Sequence, residues 1–421
     1  MKDQVHGPGP IRRNESDSIT MSKSAKRATV IGAGLWGQVL SLFLSDHGYI
    51  VDLFEIKPQF DMEKTWSFHG SDVPESLLPF VENLSSYHWQ KQSVQFHQYS
   101  RTIETPYFTI RSSDLAKKVM GNSKIEIHFG TQFKNDSLNE EIGGKSDLPL
   151  IIDTSGQPFN KQILNASEFA YQKFVGLEFL LENKHGMDYP VIMDATVPQL
   201  DGYRFMYLLP FGEKTIFVED TRYSKTPFIL EADYKQEIAS YVKQKGWIVK
   251  DVIYTEKSAL PIPFNVPVSE ETRMTLGKNN EVISLGVAQG LYHPVTGYSS
   301  PLMWKTLDVL KIHLNRGSQG DRNSDQWLVE LKLALCALRE DLRQGQRVYC
   351  FLNRLMFLAS SDEKRFVIFE RFYKFSRELI ERFYSMDNSY LDWAKIFSGR
   401  PPVSVSRAMV VLKDFVLRSP M

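Results

Sequence analysis

The stretch Ala28-Thr-Val-Ile-Gly-Ala-Gly-Leu-Trp-Gly37 constrains the fold of this chain more than any other. Ala28 to Ile31 is a short, apolar, partly β-branched run that reads as a buried strand. Gly32, Gly34 and Gly37 follow at the G-x-G-x-x-G spacing. Leu35 to Asp46 then predicts a helix with Leu35, Val39, Leu42 and Phe43 on one face, closed by His47-Gly48. A second strand, Tyr49 to Phe54, ends on Glu55. Gly32 makes the tight turn, Gly34 lets backbone approach a pyrophosphate, and Gly37 lets helix and strand pack closely. The helix N-terminus offers unpaired N–H groups to phosphates. Glu55 stands where an acid accepts the hydroxyls of an adenosine ribose, and it would repel a 2′-phosphate. The glycine spacing alone also suits a structural turn. Strand, helix, second strand and terminal acid in this order select a bound FAD or NAD.

A chain of 421 residues exceeds one typical domain, so two or three lobes are expected. The formal net charge is zero, which argues against nucleic acid as the main partner. The 27 Phe and 18 Tyr supply enough ring surface for a long apolar pocket or a membrane-facing patch, and equally for a large core. Cys336 and Cys350 give neither a disulfide framework nor a metal spacing, and a reducing cytoplasm is the simpler setting. No run approaches the ~20 apolar residues that cross a bilayer, so any membrane contact is expected at the surface.

Along the chain, Met1 to Lys26 is polar and reads as a tail, with Met21 as an alternative start. Thr65-Trp-Ser-Phe-His69 reads as a ring-dense loop, and Phe108 to Met120 as a strand entering a helix. Leu148 to Gly156 predicts an apolar strand ending at Asp153. Val191–Pro198, Tyr203–Pro210 and Thr215–Thr221 are β-rich, and Asp201-Gly202 and Gly212-Glu213 between them signal antiparallel hairpins. In Ile216-Phe-Val-Glu-Asp-Thr221, alternation puts Glu219 on one face with Phe217 and Thr221, and Asp220 on the other. Two-residue turns would set Glu219 opposite Met206, with Arg204 and Leu208 as neighbours, and carry Asp220 toward the opposite surface. A carboxyl buried in that way stays protonated at neutral pH, whereas an edge strand would leave both acids solvated. Asp233 to Gly246 reads as an amphipathic helix.

Gly286-Val-Ala-Gln-Gly-Leu-Tyr-His-Pro-Val-Thr-Gly297 has the spacing of a second flavin motif, with Gly286, Gly290, Pro294 and Gly297 in place. Val287 replaces the aspartate that usually holds the ribityl chain. Ser299 to His313 then predicts a helix whose N-terminus faces the cofactor. From Gln326 onward the chain is helical. Phe351–Leu358 and Phe372–Tyr384 read as a lid, a lipid-contacting surface with snorkelling basic side chains, or a third helical layer.

Together these motifs make the chain resemble the bacterial lycopene β-cyclases, carotenoid-ring-forming flavoproteins, from about Ala28 to Val405. The residues that carry the resemblance include Thr65–His69, Ile192–Val197, Gly202–Phe205, Phe217–Thr221, Ala259–Ile262, Gly290–Ser299, Leu352–Ala359, Arg371–Tyr373, Leu379–Tyr384 and Gly399–Val403. Members are similar in lacking the aspartate at the position of Val287. A glycine-rich approach to the Trp-Ser-Phe segment is replaced here by Asp61-Met-Glu-Lys64.

The resemblance implies an α/β fold: a Rossmann-type, two-dinucleotide-fold FAD domain with an inserted antiparallel substrate sheet and a helical C-terminal region. The boundaries expected are 1–26 for the tail and 27–70, 108–165 and 277–315 for the FAD domain. Residues 71–107 and 166–276 form the substrate domain, and 316–421 a helical lid or membrane-contacting region. It further implies FAD, active when reduced and with NAD(P)H as reductant, held by Gly32, Gly34, Gly37, Glu55, Asp153, Gly286, Gly290, Pro294 and Gly297. The family's acidic motif falls on Phe217–Thr221. Glu219 becomes the acid that protonates lycopene, Asp220 a supporting group, and Asp194 a base or orienting group. The implied reaction converts lycopene through γ-carotene to β-carotene without net redox change, on a cytoplasmic enzyme peripheral to the inner membrane. A redox flavoprotein acting on an isoprenoid, or a non-catalytic carotenoid carrier, would share several of these features.

Overall fold

The computed structural model describes residues 26–133, 150–155, 169–266, 282–317 and 324–418. The expected tail, up to residue 25, lies outside them. Short apolar strands that need cover on both faces assemble a five-stranded parallel sheet. Its order is β15 (Val282–Ser284), β9 (Leu150–Asp153), β1 (Arg27–Ile31), β2 (Ile50–Glu55) and β8 (Ile125–Phe129). Helix α1 (Leu35–Asp46) packs against this sheet through Val39, Leu40, Phe43 and Leu44, all fully or almost fully buried. The opening βαβ unit thus has the elements its sequence predicts.

A second sheet has seven strands. Its order is β14 (Val249–Pro263), β10 (Phe169–Leu181), β13 (Thr215–Ser224), β12 (Tyr203–Pro210), β11 (Val191–Asp194), β5 (Gln92–Phe96) and β6 (Tyr99–Ile103). All neighbours are antiparallel except β11 and β5. The β-rich runs are therefore three strands of a larger wall, since the long strands β10 and β14 continue the sheet beyond β13. The Thr65–His69 segment, expected as a loop, is strand β3 of a small sheet, pairing antiparallel with β7 (Tyr107–Arg111), which also pairs with β4 (Tyr87–Trp89). Its rings are there because the pleat turns Phe68 inward between Phe108 and Trp304.

Both faces of the seven-stranded sheet are covered. Helix α4 (Glu231–Gln244; α2 is Leu78–Leu84 and α3 Ser112–Met120) closes one face, setting Ile238 and Tyr241 with Val175, Met206 and Val218. The other face meets C-terminal elements through Phe205, Tyr207, Tyr223, Phe357, Phe369 and Tyr373. Those elements are α6 (Ser324–Arg354, after α5, Ser300–Gly317), a π-helical turn Leu355–Ala359, α7 (Phe366–Phe372) and α8 (Arg377–Ser385). Helices α9 (Tyr390–Phe397) and α10 (Val405–Arg418) complete the chain. The two segments considered as a lid or lipid contact are largely interior: Asn353, Met356, Phe357, Tyr373, Ile380 and Phe383 are buried. Met356, Phe357, Tyr373 and Ile380 pack with the sheet, while Phe351 and Phe383 meet rings of the last two helices. Among the described residues no helix is long and apolar enough to cross a membrane.

Candidate active site

The glycine turn is built as a close-packed corner with one open position. Gly32 has φ +88°, and its N–H donates to the Phe54 carbonyl at 2.8 Å. A Cβ on Gly37 would lie 1.8 Å from the Gly32 carbonyl oxygen, so only glycine lets α1 approach β1 there. At Gly34 a Cβ would meet nothing within 4 Å. The Glu55 carboxylate accepts from the Ala33 N–H at 2.7 Å and the Lys57 N–H at 2.9 Å, which fixes it beside the turn. Asp153 ends β9, and its Oδ1 accepts from the N–H of Ser155 at 2.8 Å, so it also caps its own turn.

The second glycine loop meets this corner. A Cβ on Gly286 would meet the Trp36 ring at 3.7 Å, and Gly286, Gly290 and Gly297 all have positive φ. Gly290, like Gly34, faces open space. Pro294 is tied to α6, its carbonyl accepting from Asn353 Nδ2 at 2.9 Å. The loop is organised by His293, which the sequence did not single out: its Nδ1 accepts from the N–H groups of Val295 and Thr296, while Nε2 contacts the Phe383 carbonyl at 3.0 Å. Trp36 Nε1 and Gln289 Oε1 are buried here without a protein partner. Open glycines, a helix N-terminus and two orphaned polar atoms fit a polar dinucleotide spanning both loops.

On the sheet, Glu219 faces the C-terminal helices, but its partner differs from expectation. The turn closes on Glu213-Lys214, with Gly212 and Thr215 exchanging hydrogen bonds, and Phe211 is an extra residue on one side. Register therefore shifts by one and the pairing changes face. Glu219 stands opposite Tyr207, between Phe205 and Leu209, while Asp220 stands opposite Met206. Glu219 is 7% exposed, and Thr221 Oγ1 donates to its Oε1. Burial, reinforced by the charges of Glu256 and Asp220, outweighs that hydrogen bond and pushes the carboxyl up to about 8. Glu219 is thus held neutral at pH 7.

Asp220 is not near the surface, as its alternation suggested; it is fully buried beneath α4. Its oxygens accept from Arg204 Nε at 2.9 Å and Arg222 Nη2 at 2.8 Å, and Arg204 reaches on to Glu237 at 3.0 Å. Asp194 lies on this same face, in line with Met206 and Asp220, and not on the face of Glu219. It accepts from Tyr241 Oη at 2.6 Å and from Thr196. That placement removes Asp194 from direct contact with anything Glu219 protonates. Breaking a buried ion pair by removing one partner costs about 3–5 kcal/mol. Asp220→Asn should therefore lower folding stability by about 3 kcal/mol or more, seen in denaturant unfolding, while turnover per folded molecule stays near normal. An Asp220→Asn protein with unchanged unfolding but no turnover would give this residue a chemical role.

The face of Glu219 borders a cavity of about 400 Å³ with a mostly apolar wall. Glu219 does not itself line it. Its partner Tyr207 does, as do Tyr223, four residues along β13 on the same face, Gln172 on β10, and Tyr298 after the second glycine loop. From this inner end the cavity runs out between Phe351, Phe372 and Phe383 to Phe397, Met409 and Leu412. A neutral acid beside a largely apolar cavity lined by aromatic rings suits proton delivery to a hydrocarbon.

Comparison with known proteins bears on what that hydrocarbon is. The family description "Lycopene cyclase protein" matches residues 28–410. The chain belongs to the lycopene cyclase family. The lycopene β-cyclase of Pantoea ananas is 30% identical over 391 residues, covering 90% of this chain and 96% of that protein. That of Paracoccus sp. (strain N81106 / MBIC 01143) is 30% identical, covering 83% and 87%. Among solved structures, p-nitrophenol 4-monooxygenase PnpA from Pseudomonas putida DLL-E4 superposes with a TM-score of 0.51 at 12% identity, over 89% of this chain and 100% of that one. P. aeruginosa PqsL in complex with 2-aminobenzoylacetate gives 0.50 at 12% identity, over 83% and 100%. The cyclase thus shares the fold of flavin monooxygenases.

Three features of this cyclase site were not read from sequence. Gly176 on β10 lies between Glu219 and Glu256, the latter on β14, so both acids project from one face across a residue without a side chain. Glu256 accepts from the Thr65 N–H at 3.0 Å, and its carboxyl is pushed up by burial to about 7, with Lys64 opposing. Only the pairing of β10 and β14, which carry weak alternation, could have revealed it. His69, inside the quoted Thr65–His69 motif, lines the cavity with Nδ1 held by Gln92 Nε2 at 2.7 Å, and burial drives it down to about 3, so it is neutral. Tyr107 and Tyr207 join hydroxyl to hydroxyl at 3.0 Å. Elsewhere, Asp52, Glu126 and His128 bring potential ligand atoms within 4.8 Å of one another, but Asp52 is engaged by Arg27 at 2.7 Å.

Proposed function

We propose that this cyclase converts lycopene through γ-carotene to β-carotene by acid-catalysed ring closure without net redox change. The observation that carries the reading is the buried Glu219, held towards its neutral form by burial and paired with Tyr207, which lines the aromatic inner end of the cavity. Glu219 gives its proton to the terminal double bond of the linear end group, leaving a tertiary cation. The neighbouring internal double bond attacks that centre, and loss of a ring proton completes the β-ring. Tyr207, Tyr223 and Tyr298 line the cavity, where aromatic rings can stabilise the cation and exclude water from it. Gly32, Gly34, Gly37 and Glu55 on one side, and Gly286, Gly290, Pro294 and Gly297 on the other, would hold FAD, with Asp153 closing the strand between. When bound and reduced, by NAD(P)H in this reading, FAD supplies negative charge beside the cation. Asp220 and Asp194 serve by fixing the sheet to α4.

The acid form of Glu219 is present below about pH 8 and is lost as pH rises through that value. With flavin kept reduced by dithionite, cyclisation should therefore be level below neutrality and fall about tenfold per pH unit well above 8. A rate that rises with pH over the same range would rule Glu219 out as acid. The reading as a whole is tested by expression in lycopene-accumulating cells: β-carotene should replace lycopene. Pigment that stays lycopene would favour the carrier reading, and product of altered mass the redox one. We place the protein in the cytoplasm, peripheral to the membrane that dissolves its substrate.

A further inference from the structure

Helices α9 and α10 carry large apolar side chains that are strongly exposed. On α10, Val405, Met409, Leu412 and Val416 recur at i, i+4, i+7 and i+11, and are 60%, 61%, 41% and 64% exposed. This is one stripe of a helix. The opposite side is occupied: Phe415 meets Phe351 at 5.1 Å between ring centres, and Asp414 pairs with Arg354 at 2.7 Å. On α9, Tyr390 and Leu391 are 94% and 74% exposed.

Two further observations say what covers this face. Met409 and Leu412 also line the cavity, together with Phe397, so the cavity wall and the exposed stripe are one continuous apolar surface. The segment connecting the two helices is tied down beside the cavity, since the Arg371 guanidinium, which lines it, donates to the carbonyls of Ser398 and Arg400. The charge around it is one-sided. Asp392 and Asp414 are paired with Arg382 and Arg354, whereas Lys395, Arg400, Arg407 and Lys413 have no ion pair among the described residues. A second copy docked about a two-fold would bring those cations together. An anionic lipid surface would neutralise them.

We infer that the α9–α10 face is the surface by which this chain lies on an anionic bilayer, and that the cavity mouth opens directly into it. At 14 residues α10 is too short to span and suits lying in the interface, apolar stripe down and basic groups at headgroup level. The stripe replaces Phe351–Tyr384 as the lipid contact. The route for a carotenoid then runs from bilayer to cavity past Met409 and Leu412 without crossing water. That last clause rests on the proposed substrate; the docking surface does not.

The test uses the full chain and lycopene-free vesicles of phosphatidylcholine, with and without phosphatidylglycerol. Wild-type protein should sediment with the anionic vesicles. Val405→Glu/Val416→Glu, at positions outside the cavity, and Arg407→Glu/Lys413→Glu should each weaken that binding roughly tenfold or more, with unchanged circular dichroism. Val405→Glu/Val416→Glu should also keep turnover of lycopene in detergent micelles while losing turnover from vesicles. Variants that bind anionic vesicles like wild type would overturn the proposal. So would a wild-type dimer in light scattering that Val405→Glu/Val416→Glu dissociates while vesicle binding persists. Absence of micellar turnover by the wild type counts against the cyclase reading alone, leaving the vesicle result to decide this one.

Discussion

Glu219→Gln should cut ring closure by ~10²-fold or more, the scale of a lost general acid. Because the carboxyl is neutral in its resting state, glutamine matches it in size and charge and still accepts from Thr221 Oγ1. What it lacks is a proton acidic enough to give. Folding, flavin content and lycopene binding should therefore persist, and the defect should appear in turnover with substrate bound. Near wild-type β-carotene from Glu219→Gln, alongside loss of activity in Asp220→Asn or Asp194→Asn, would mean the wrong carboxylate has been assigned. The geometry makes that outcome hard to reach, since both aspartates face α4 on the other side of the sheet.

The second large effect belongs to the cofactor corner. Gly34→Val should yield folded, flavin-free protein. Gly34 does not require positive φ and a Cβ there meets nothing, so the polypeptide tolerates the side chain. The space it fills is that over the N-terminus of α1, where a pyrophosphate would lie. Gly37→Ala, by contrast, should damage folding, because its Cβ collides with the Gly32 carbonyl. Purified Gly34→Val with full flavin absorbance would remove the basis for placing FAD at this turn.

What could be read from sequence follows how local each determinant is. The βαβ opening was legible because glycines, helix face and terminal acid all lie within residues 28–55. The facing of Glu219 was legible from alternation, but its partner was not, since the extra residue Phe211 shifts a register that depends on one turn. The burial of Asp220 was invisible for a different reason. Its neutralising charge comes from Arg204 on the next strand as well as Arg222 on its own. Strand β10 escaped because both its faces are buried and its polar residues find distant partners, Lys173 with Asp201 and Glu178 with Arg111. The C-terminal helices were legible as amphipathic. Which of them end up against the sheet is a packing outcome, and it buries Met356, Phe357, Tyr373, Ile380 and Phe383 while leaving Tyr390, Leu391, Val405, Met409 and Val416 exposed.

The most direct measurement is the mass of the product formed by purified enzyme, with reduced FAD, in D₂O. Proton donation by Glu219 followed by loss of a ring proton predicts β-carotene carrying one deuteron per ring closed, and in H₂O a product of the same mass as lycopene. A product whose mass in H₂O differs from that of lycopene by added oxygen or hydrogen, or rings closed in D₂O without deuterium, would contradict the mechanism.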